Sequence, residues 1–148
     1  MHRLLYVSRS AVLANSPELA DIAKVSLSRN SSCGVTGYLY FDNETFVQVL
    51  EGMPEDVADI YHSIEQDNRH ADLRLLGIDE VTNRVFGSWA MGFYDGSERG
   101  GLISEAFGDN IAKHATGRDI PELTRFLRDL SVGRQDVYVL APRDVTSA

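Results

Sequence analysis

Apolar residues in the first 95 positions recur with two spacings, one typical of strands and one typical of helices. Helical spacing predicts a helix from Ser16-Pro17-Glu18 to about Arg29 and a second helix that begins at Pro54. The segments rich in β-forming residues predict strands at 4–8, 36–41, 45–51, 73–78 and 88–94. This order matches the ferredoxin-like βαββαββ plan, an α+β fold with a five-stranded mixed sheet and both helices on one face.

A turn-rich link near residues 95–101 separates this unit, residues 1–95, from an extension at 96–148. Two helices are predicted in the extension, and the second has an apolar stripe. The stripe consists of Ile120, Leu123, Phe126, Leu127 and Leu130. It must pack on the other face of the sheet or on a second subunit, so a homo-oligomer of open size is one expectation. Residues 137–140 are apolar but isolated, and the pattern does not place them.

Polar side chains interrupt two of the predicted strands. Gln48 lies in the apolar run 46–50, and Tyr6 and Ser8 share one face of the first strand because strand side chains alternate. A buried amide without partners costs about 1 to 3 kcal/mol, so Gln48 needs a neighbour such as Tyr6, or a ligand. A core tyrosine and an amide that fixes strand register are the structural alternatives.

Composition excludes several classes of function. The 148 residues, 43% of them hydrophobic, suffice for one domain with a core. A net charge of −8 disfavours a nucleic-acid-binding surface, which needs clustered cations. No apolar run approaches the length of a signal peptide or membrane span, so a cytoplasmic protein is expected. One cysteine, Cys33, and four histidines without ligand spacing predict neither a disulfide nor a metal site.

Several ordered motifs over about ninety residues resemble the BLUF family, the blue-light sensors that use flavin. They are Tyr6-x-Ser8, Asn30, Val35-Thr36-Gly37-Tyr38-Leu39, Phe46-Val47-Gln48-Val49-Leu50-Glu51-Gly52, Asp67-x-Arg69-His70 and Ser88-Trp89-Ala90-Met91-Gly92-Phe93. The resemblance implies a flavin between the two helices above the sheet, and light sensing by rearranged hydrogen bonds without a covalent adduct. It also implies that Tyr6 gives an electron to the excited flavin while its proton travels through Gln48, whose reoriented or tautomerised amide then shifts the absorption to the red.

Flavin chemistry suggests roles for further residues. Asn30, at the predicted helix end, offers a donor and an acceptor to the ring's C4=O and N3–H, although a helix C-cap is its structural alternative. Arg69 can hold the C2=O and N1 edge, and His70 can help orient that edge. Ile22 and Ile64 could pack on the ring from opposite helices.

Four further residues complete the candidate site. Ser26 falls on the same helix face as Ile22 and Asn30, and Ser8 is expected to support Gln48. Trp89 and Met91 share a strand face and are candidates for passing the signal to the extension, with the choice of which one faces the flavin left open.

The cofactor expected is FAD, with FMN and riboflavin open, because no GxGxxG loop is present to cradle a pyrophosphate. One departure from the family pattern is Arg29, where many relatives have an asparagine or another polar residue. The interpretation is a photoreceptor without a catalytic domain whose signal goes to a separate, unidentified protein. A flavin-dependent redox enzyme and a flavin-free interaction module are the alternatives.

Overall fold

The computed structural model describes residues 1–12, 16–87, 91–96, 101–133 and 137–140. Within them, six strands form one sheet in the spatial order β4-β1-β3-β2-β5-β6. The strands are β1 His2–Ser10, β2 Thr36–Phe41, β3 Thr45–Gly52, β4 His70–Glu80, β5 Met91–Asp95 and β6 Val137–Leu140. Only β2 and β5 pair in parallel, while the other neighbouring strands pair antiparallel. The βαββαββ unit with five mixed strands is therefore present as predicted, and β6 extends it.

The helices are α1 Pro17–Cys33, α2 Pro54–Glu65, α3 Leu102–Phe107, α4 Ile111–His114 and α5 Ile120–Gly133, with a 3-10 turn at Gly117–Asp119. Two helices were predicted after residue 96. The longer one is α5, and the region before it is divided between the short α3 and α4. None of the described helices is long and apolar enough to cross a membrane.

Helix α1 begins and ends at residues suited to those positions. The Ser16 hydroxyl accepts a hydrogen bond from the Leu19 amide at 3.3 Å, and Pro17 occupies the first turn. The helix ends at Gly34, whose φ of 72° is the left-handed geometry that favours glycine. The C-cap alternative for Asn30 is therefore wrong: Asn30 lies inside the helix, and its carbonyl accepts from the amides of Gly34 and Val35.

Gly37 allows the hairpin of β2 and β3 to close. A Cβ atom at this position would lie 2.1 Å from the carbonyl oxygen of Val49, so any larger residue would push the two strands apart. Gly37 of the sequence motif thus serves strand packing, and it keeps β2 close to the strand that carries Gln48.

The two faces of the sheet are covered by different helices. On one face, α2 packs on Leu4, Tyr6 and Leu50, and α1 packs on side chains that include Leu39 and Phe46. On the other face, a larger cluster joins the sheet to the C-terminal helices. It buries the α5 stripe through Leu123 and Leu127, so the stripe packs on the sheet. The homo-oligomer stays a prediction.

Candidate functional site

Strand register brings Tyr6 and Gln48 together. The two residues are direct partners in the antiparallel pairing of β1 and β3, so their side chains project from the same face. The Tyr6 hydroxyl donates to Gln48 Oε1 at 2.6 Å, and Tyr6 and Gln48 are only 4% and 2% exposed. Burial raises the pKa of Tyr6 far above its ordinary value, while the Arg29 charge opposes that shift. Tyr6 is therefore a neutral phenol that donates to the amide.

The other end of the Gln48 amide contacts Met91. Gln48 Nε2 lies 3.7 Å from Met91 Sδ, a weak acceptor, and Met91 is buried on β5. Of the two relay candidates, Met91 thus reaches the Gln48 amide, and Trp89 lies outside the described residues. A strong donor held only by a thioether is poorly satisfied, so this amide retains a hydrogen bond for a ligand.

A cavity with about 440 Å³ of empty space, including its open mouth, lies between α1 and α2 above this pair. The lining residues are Tyr6, Ile22, Val25, Ser26, Arg29, Leu39, Phe46, Gln48, Ile64, Asp67, Arg69 and His70. Seven of the predicted site residues are among them: Tyr6, Ile22, Ser26, Gln48, Ile64, Arg69 and His70.

Three predicted site residues do not line the cavity: the relay candidate Met91, Asn30 and Ser8. Asn30 is fully buried inside α1, next to the cavity residue Arg29. Ser8 is fully buried on β1, and its hydroxyl lies 2.8 Å from His70 Nδ1. Ser8 lies opposite Phe46 in the register, two positions away from the partner of Gln48, and its support of Gln48 stays a prediction.

His70 connects three elements. Its Nε2 donates to the carbonyl of Ile64 at the end of α2 at 2.9 Å, and its Nδ1 lies 2.8 Å from the Ser8 hydroxyl. Both ring nitrogens are engaged, which leaves His70 to orient the cavity wall rather than to bind a ligand by hydrogen bonds.

Arg69 is held by two carboxylates at the cavity rim. Its Nη2 lies 2.6 Å from Asp67 Oδ2, and its Nη1 lies 2.8 Å from Asp21 Oδ2 on α1. The Asp67 pKa is lowered chiefly by the hydrogen bond from Arg69. These pairs connect α1 to the turn before β4. They also engage the Arg69 charge, which was predicted to contact the C2=O and N1 edge of the flavin ring.

Several cavity residues were not among the site residues predicted from the sequence. Val25, Leu39 and Phe46 add apolar wall, and Asp67 and Arg29 add charge. Phe46 and Leu39 could have been found from their strand faces, since each points to the same side as Gln48. For Asp67 the signal was its position two residues before Arg69, a spacing that allows the side chains to meet in a turn.

The donor set fits a flavin. Ile22 and Ile64 supply apolar walls from opposite helices, and Gln48 supplies a buried amide whose donor is weakly satisfied. A flat ring system with carbonyl acceptors matches such a slot. Across the described ranges, no group of three or more histidine, cysteine or acidic residues is placed to hold a metal ion.

Comparison with known proteins supports this assignment. Residues 1–92 match the family model described as BLUF, sensors of blue-light using FAD. Subunit alpha of the photoactivated adenylate cyclase of Euglena gracilis is 34% identical over 116 residues, or 77% of this chain and 10% of the relative. The blue light- and temperature-regulated antirepressor BluF of Escherichia coli strain K12 is 29% identical over 142 residues, or 93% of this chain and 35% of the relative. The chain thus spans no more than about a third of these relatives.

Solved structures give the same result. A bacterial light-regulated adenylyl cyclase superimposes with a TM-score of 0.63 at 30% identity, covering 87% of this chain and 36% of that one. The dark-state structure of BlrB, a BLUF protein, superimposes with a TM-score of 0.69 and covers 86% of this chain and 94% of that one. At 24% identity, the second likeness shows the shared fold alone.

Proposed function

We propose that this chain, which belongs to the BLUF family of blue-light sensors, detects light through the hydrogen bond between Tyr6 and Gln48. The observation that carries the proposal is the 2.6 Å contact between two buried groups, one of which continues to Met91 and the cavity. The Tyr6 phenol, the Gln48 amide and the Met91 thioether contact one another in series. A change in hydrogen bonding at the cavity can therefore be transmitted through them to β5.

Residues of both helices would hold the flavin. Ile22 and Ile64 would enclose the ring from opposite sides, and the Gln48 amide would donate to an acceptor on its edge. Ser26 is buried in the cavity wall, where its hydroxyl can contact the same ligand. Asn30 would reach the ring only after a side-chain adjustment, because it does not line the cavity.

The bound flavin would supply the absorption of blue light and, once excited, an acceptor for one electron. Tyr6 is placed to give that electron, and its phenolic proton faces Gln48 Oε1. Loss of the electron would make the phenol strongly acidic, so its proton would travel through the Gln48 amide, whose oxygen lies 2.6 Å away. Return of the electron and the proton to Tyr6 would restore the phenol and leave Gln48 rotated or tautomerised, with its former contact to Met91 changed.

The signal would leave through β5. Met91 begins this strand, which pairs with β2 on one side and with β6 on the other. A movement of Met91 therefore acts directly on the strand that joins the cavity face to the C-terminal region. Trp89 would act in the same relay from its position two residues earlier.

The output would be passed to another protein. The relatives carry out different tasks, one being an adenylate cyclase subunit and another an antirepressor, so the downstream response is not common to the family. We propose FAD as the flavin, as named in the family description.

An absorption spectrum of the purified protein in darkness and after blue illumination tests the function. The expected result is a flavin spectrum that shifts reversibly to the red. A colourless protein that takes up no added flavin, or bands that do not move under illumination, would overturn it. Bleaching by NAD(P)H with turnover would instead indicate a redox enzyme.

A further inference from the structure

Two arginines line the cavity, and their surroundings differ. Arg69 is only 24% exposed, and three of its nitrogens contact the carboxylates of Asp67 and Asp21. The guanidinium nitrogens of Arg69 are thus already engaged by two carboxylates. The ion pairs of Arg69 therefore connect α1 to the turn before β4.

Arg29 is the opposite case. Its side chain lines the same cavity from α1, yet its buried Nε has no hydrogen-bond partner anywhere in the described ranges. Its carbonyl is engaged, since it accepts from the Ser32 hydroxyl, but this bond concerns only the backbone. A buried cationic nitrogen without a partner is costly, and such groups are otherwise paired in folded proteins.

The charge of Arg29 is retained despite its burial. Burial lowers the pKa of the guanidinium, whereas Tyr6 and Asp67 raise it. Arginine starts from so high a value that it stays protonated at neutral pH. The Arg29 charge also acts on Tyr6, whose pKa it lowers against the larger effect of burial. The cavity wall thus has a positive charge whose buried Nε lacks a hydrogen-bond partner among the described residues, and this charge lies within electrostatic range of the phenol.

We propose that Arg29 is the anion-recognition residue of this cavity, and that it binds an anionic or electron-rich oxygen of the flavin. Two parts of a flavin present that chemistry: the carbonyl edge of the ring and the phosphate of its side chain. The inference rests on the proposed function, because it assumes that the cavity takes a flavin. It moves the ligand contact expected of Arg69 to a residue forty positions earlier, one that departs from the pattern common in the family.

Equilibrium binding to the full-length chain tests the assignment. Riboflavin, FMN and FAD are titrated separately into flavin-free protein, with quenching of flavin fluorescence as the measurement. The variants are Arg29→Met, which keeps the apolar stem and removes the charge, and Arg29→Lys, which keeps the charge. Arg125→Met is the matched control, since Arg125 is exposed on α5 across the sheet from the cavity.

Arg29→Met should weaken binding by about ten- to a hundredfold, the size expected for a hydrogen bond to a charged group. Arg29→Lys should recover part of the loss, and Arg125→Met should bind as the wild type does. Equal losses for all three flavins assign the contact to the ring, and the reduction potential of the bound flavin then becomes more negative. Losses restricted to FMN and FAD assign it to the phosphate. Either pattern supports the proposal.

Thermal unfolding of the flavin-free protein separates recognition from a structural role. Because Arg29 Nε has no partner to lose, Arg29→Met should melt at the wild-type temperature or above it. Unchanged affinity for all three flavins in Arg29→Met would overturn the inference while leaving the light response intact. A wild-type chain that binds none of the flavins would overturn the proposed function, and the role of Arg29 with it.

Discussion

The two faces of the sheet each bury a tyrosine, and the two tyrosines have different surroundings. On the face covered by the C-terminal helices, the Tyr40 hydroxyl donates to Asp42 Oδ2 at 2.7 Å and accepts from the Ile103 amide at 3.1 Å. Its ring stacks on Tyr94 with centroids 5.4 Å apart. On the cavity face, the hydrogen bond described for the Tyr6 hydroxyl goes to Gln48, whose other end meets a thioether.

Titration alone does not separate the two tyrosines. Burial is the main cause that raises the pKa of both Tyr6 and Tyr40. What differs is whether the last group in each hydrogen-bonded chain is satisfied by other protein groups or borders the cavity. The bonds of Tyr40 end at a carboxylate that also accepts from the Thr45 amide, whereas those of Tyr6 end beside a cavity. A buried polar chain that ends at a cavity indicates a ligand site, and one that closes on itself indicates packing.

Replacing Tyr6 gives the largest contrast. Tyr6→Phe should retain flavin and lose the light-induced red shift completely, because no phenol is left to give an electron or a proton. Tyr40→Phe should keep the shift. Difference absorption spectra of the two variants after blue illumination measure this, and a normal photocycle in Tyr6→Phe would contradict the donor role.

Removing the amide tests the next link. Gln48→Leu should bind flavin and show no red shift, since the side chain cannot rearrange its hydrogen bonds. It should also cost about 1–3 kcal/mol of the free energy of unfolding, because the buried Tyr6 hydroxyl loses its acceptor. Absorption spectra and urea unfolding measure the two effects, and a red shift of ordinary size in Gln48→Leu would disprove the amide switch.

Glu51 is a buried polar anchor on the face of the sheet that the C-terminal helices cover. Its carboxylate is fully buried and accepts from Arg3 Nε, from the Val85 amide and from the Phe86 amide at 2.7–2.8 Å. Glu51→Ala should cost about 3–5 kcal/mol of unfolding free energy, since it leaves an arginine and two amides without an acceptor. Urea unfolding measures the loss. Glu51→Gln keeps the volume and one acceptor oxygen and should cost less, and equal losses would assign the effect to the negative charge that Arg3 contacts.

Strand parity was enough to predict the Tyr6 and Gln48 pair, because two antiparallel strands in register place their side chains on one face. The pairing of Ser8 with His70 was not predictable, since these residues lie 62 positions apart and meet only after β4 joins the edge of β1. The partners of Arg69 likewise depend on how closely α1 approaches the turn before β4.

The difference between Arg29 and Arg69 shows the same limit. The motif and flavin chemistry favoured Arg69 as the ligand contact, but only the folded arrangement shows that two carboxylates already engage its guanidinium. The strand β6 was also beyond prediction. Its four apolar residues carry no periodicity of their own, and their place is set by the open edge of β5.

Tyr40→Phe measures the contribution of the hydrogen bonds that join Tyr40, Asp42 and the Ile103 amide. The substitution removes one hydroxyl, so Asp42 loses a donor and the Ile103 amide loses its acceptor. The expected cost is about 1–3 kcal/mol of unfolding free energy, because both groups are buried. Urea unfolding checks it against Tyr38→Phe, a tyrosine fully buried on the same face of the same strand. A cost of nearly zero would show that water or a neighbour replaces the hydroxyl.

The smallest effect concerns the charge pair at the cavity rim. Asp67 has a lowered pKa in the folded chain, so its contribution to stability is fully present above the ordinary aspartate value of about 3.9. That contribution is lost as the pH falls through the lower, folded value. Asp67→Asn should therefore cost about 0.5–1 kcal/mol at pH 7, the range for partly exposed ion pairs, and the difference from the wild type should shrink below about pH 4. Urea unfolding at pH 7, 4 and 3 measures this. If the difference in unfolding free energy between the wild type and Asp67→Asn stayed constant down to pH 3, the charge of Asp67 would not be the source of its contribution.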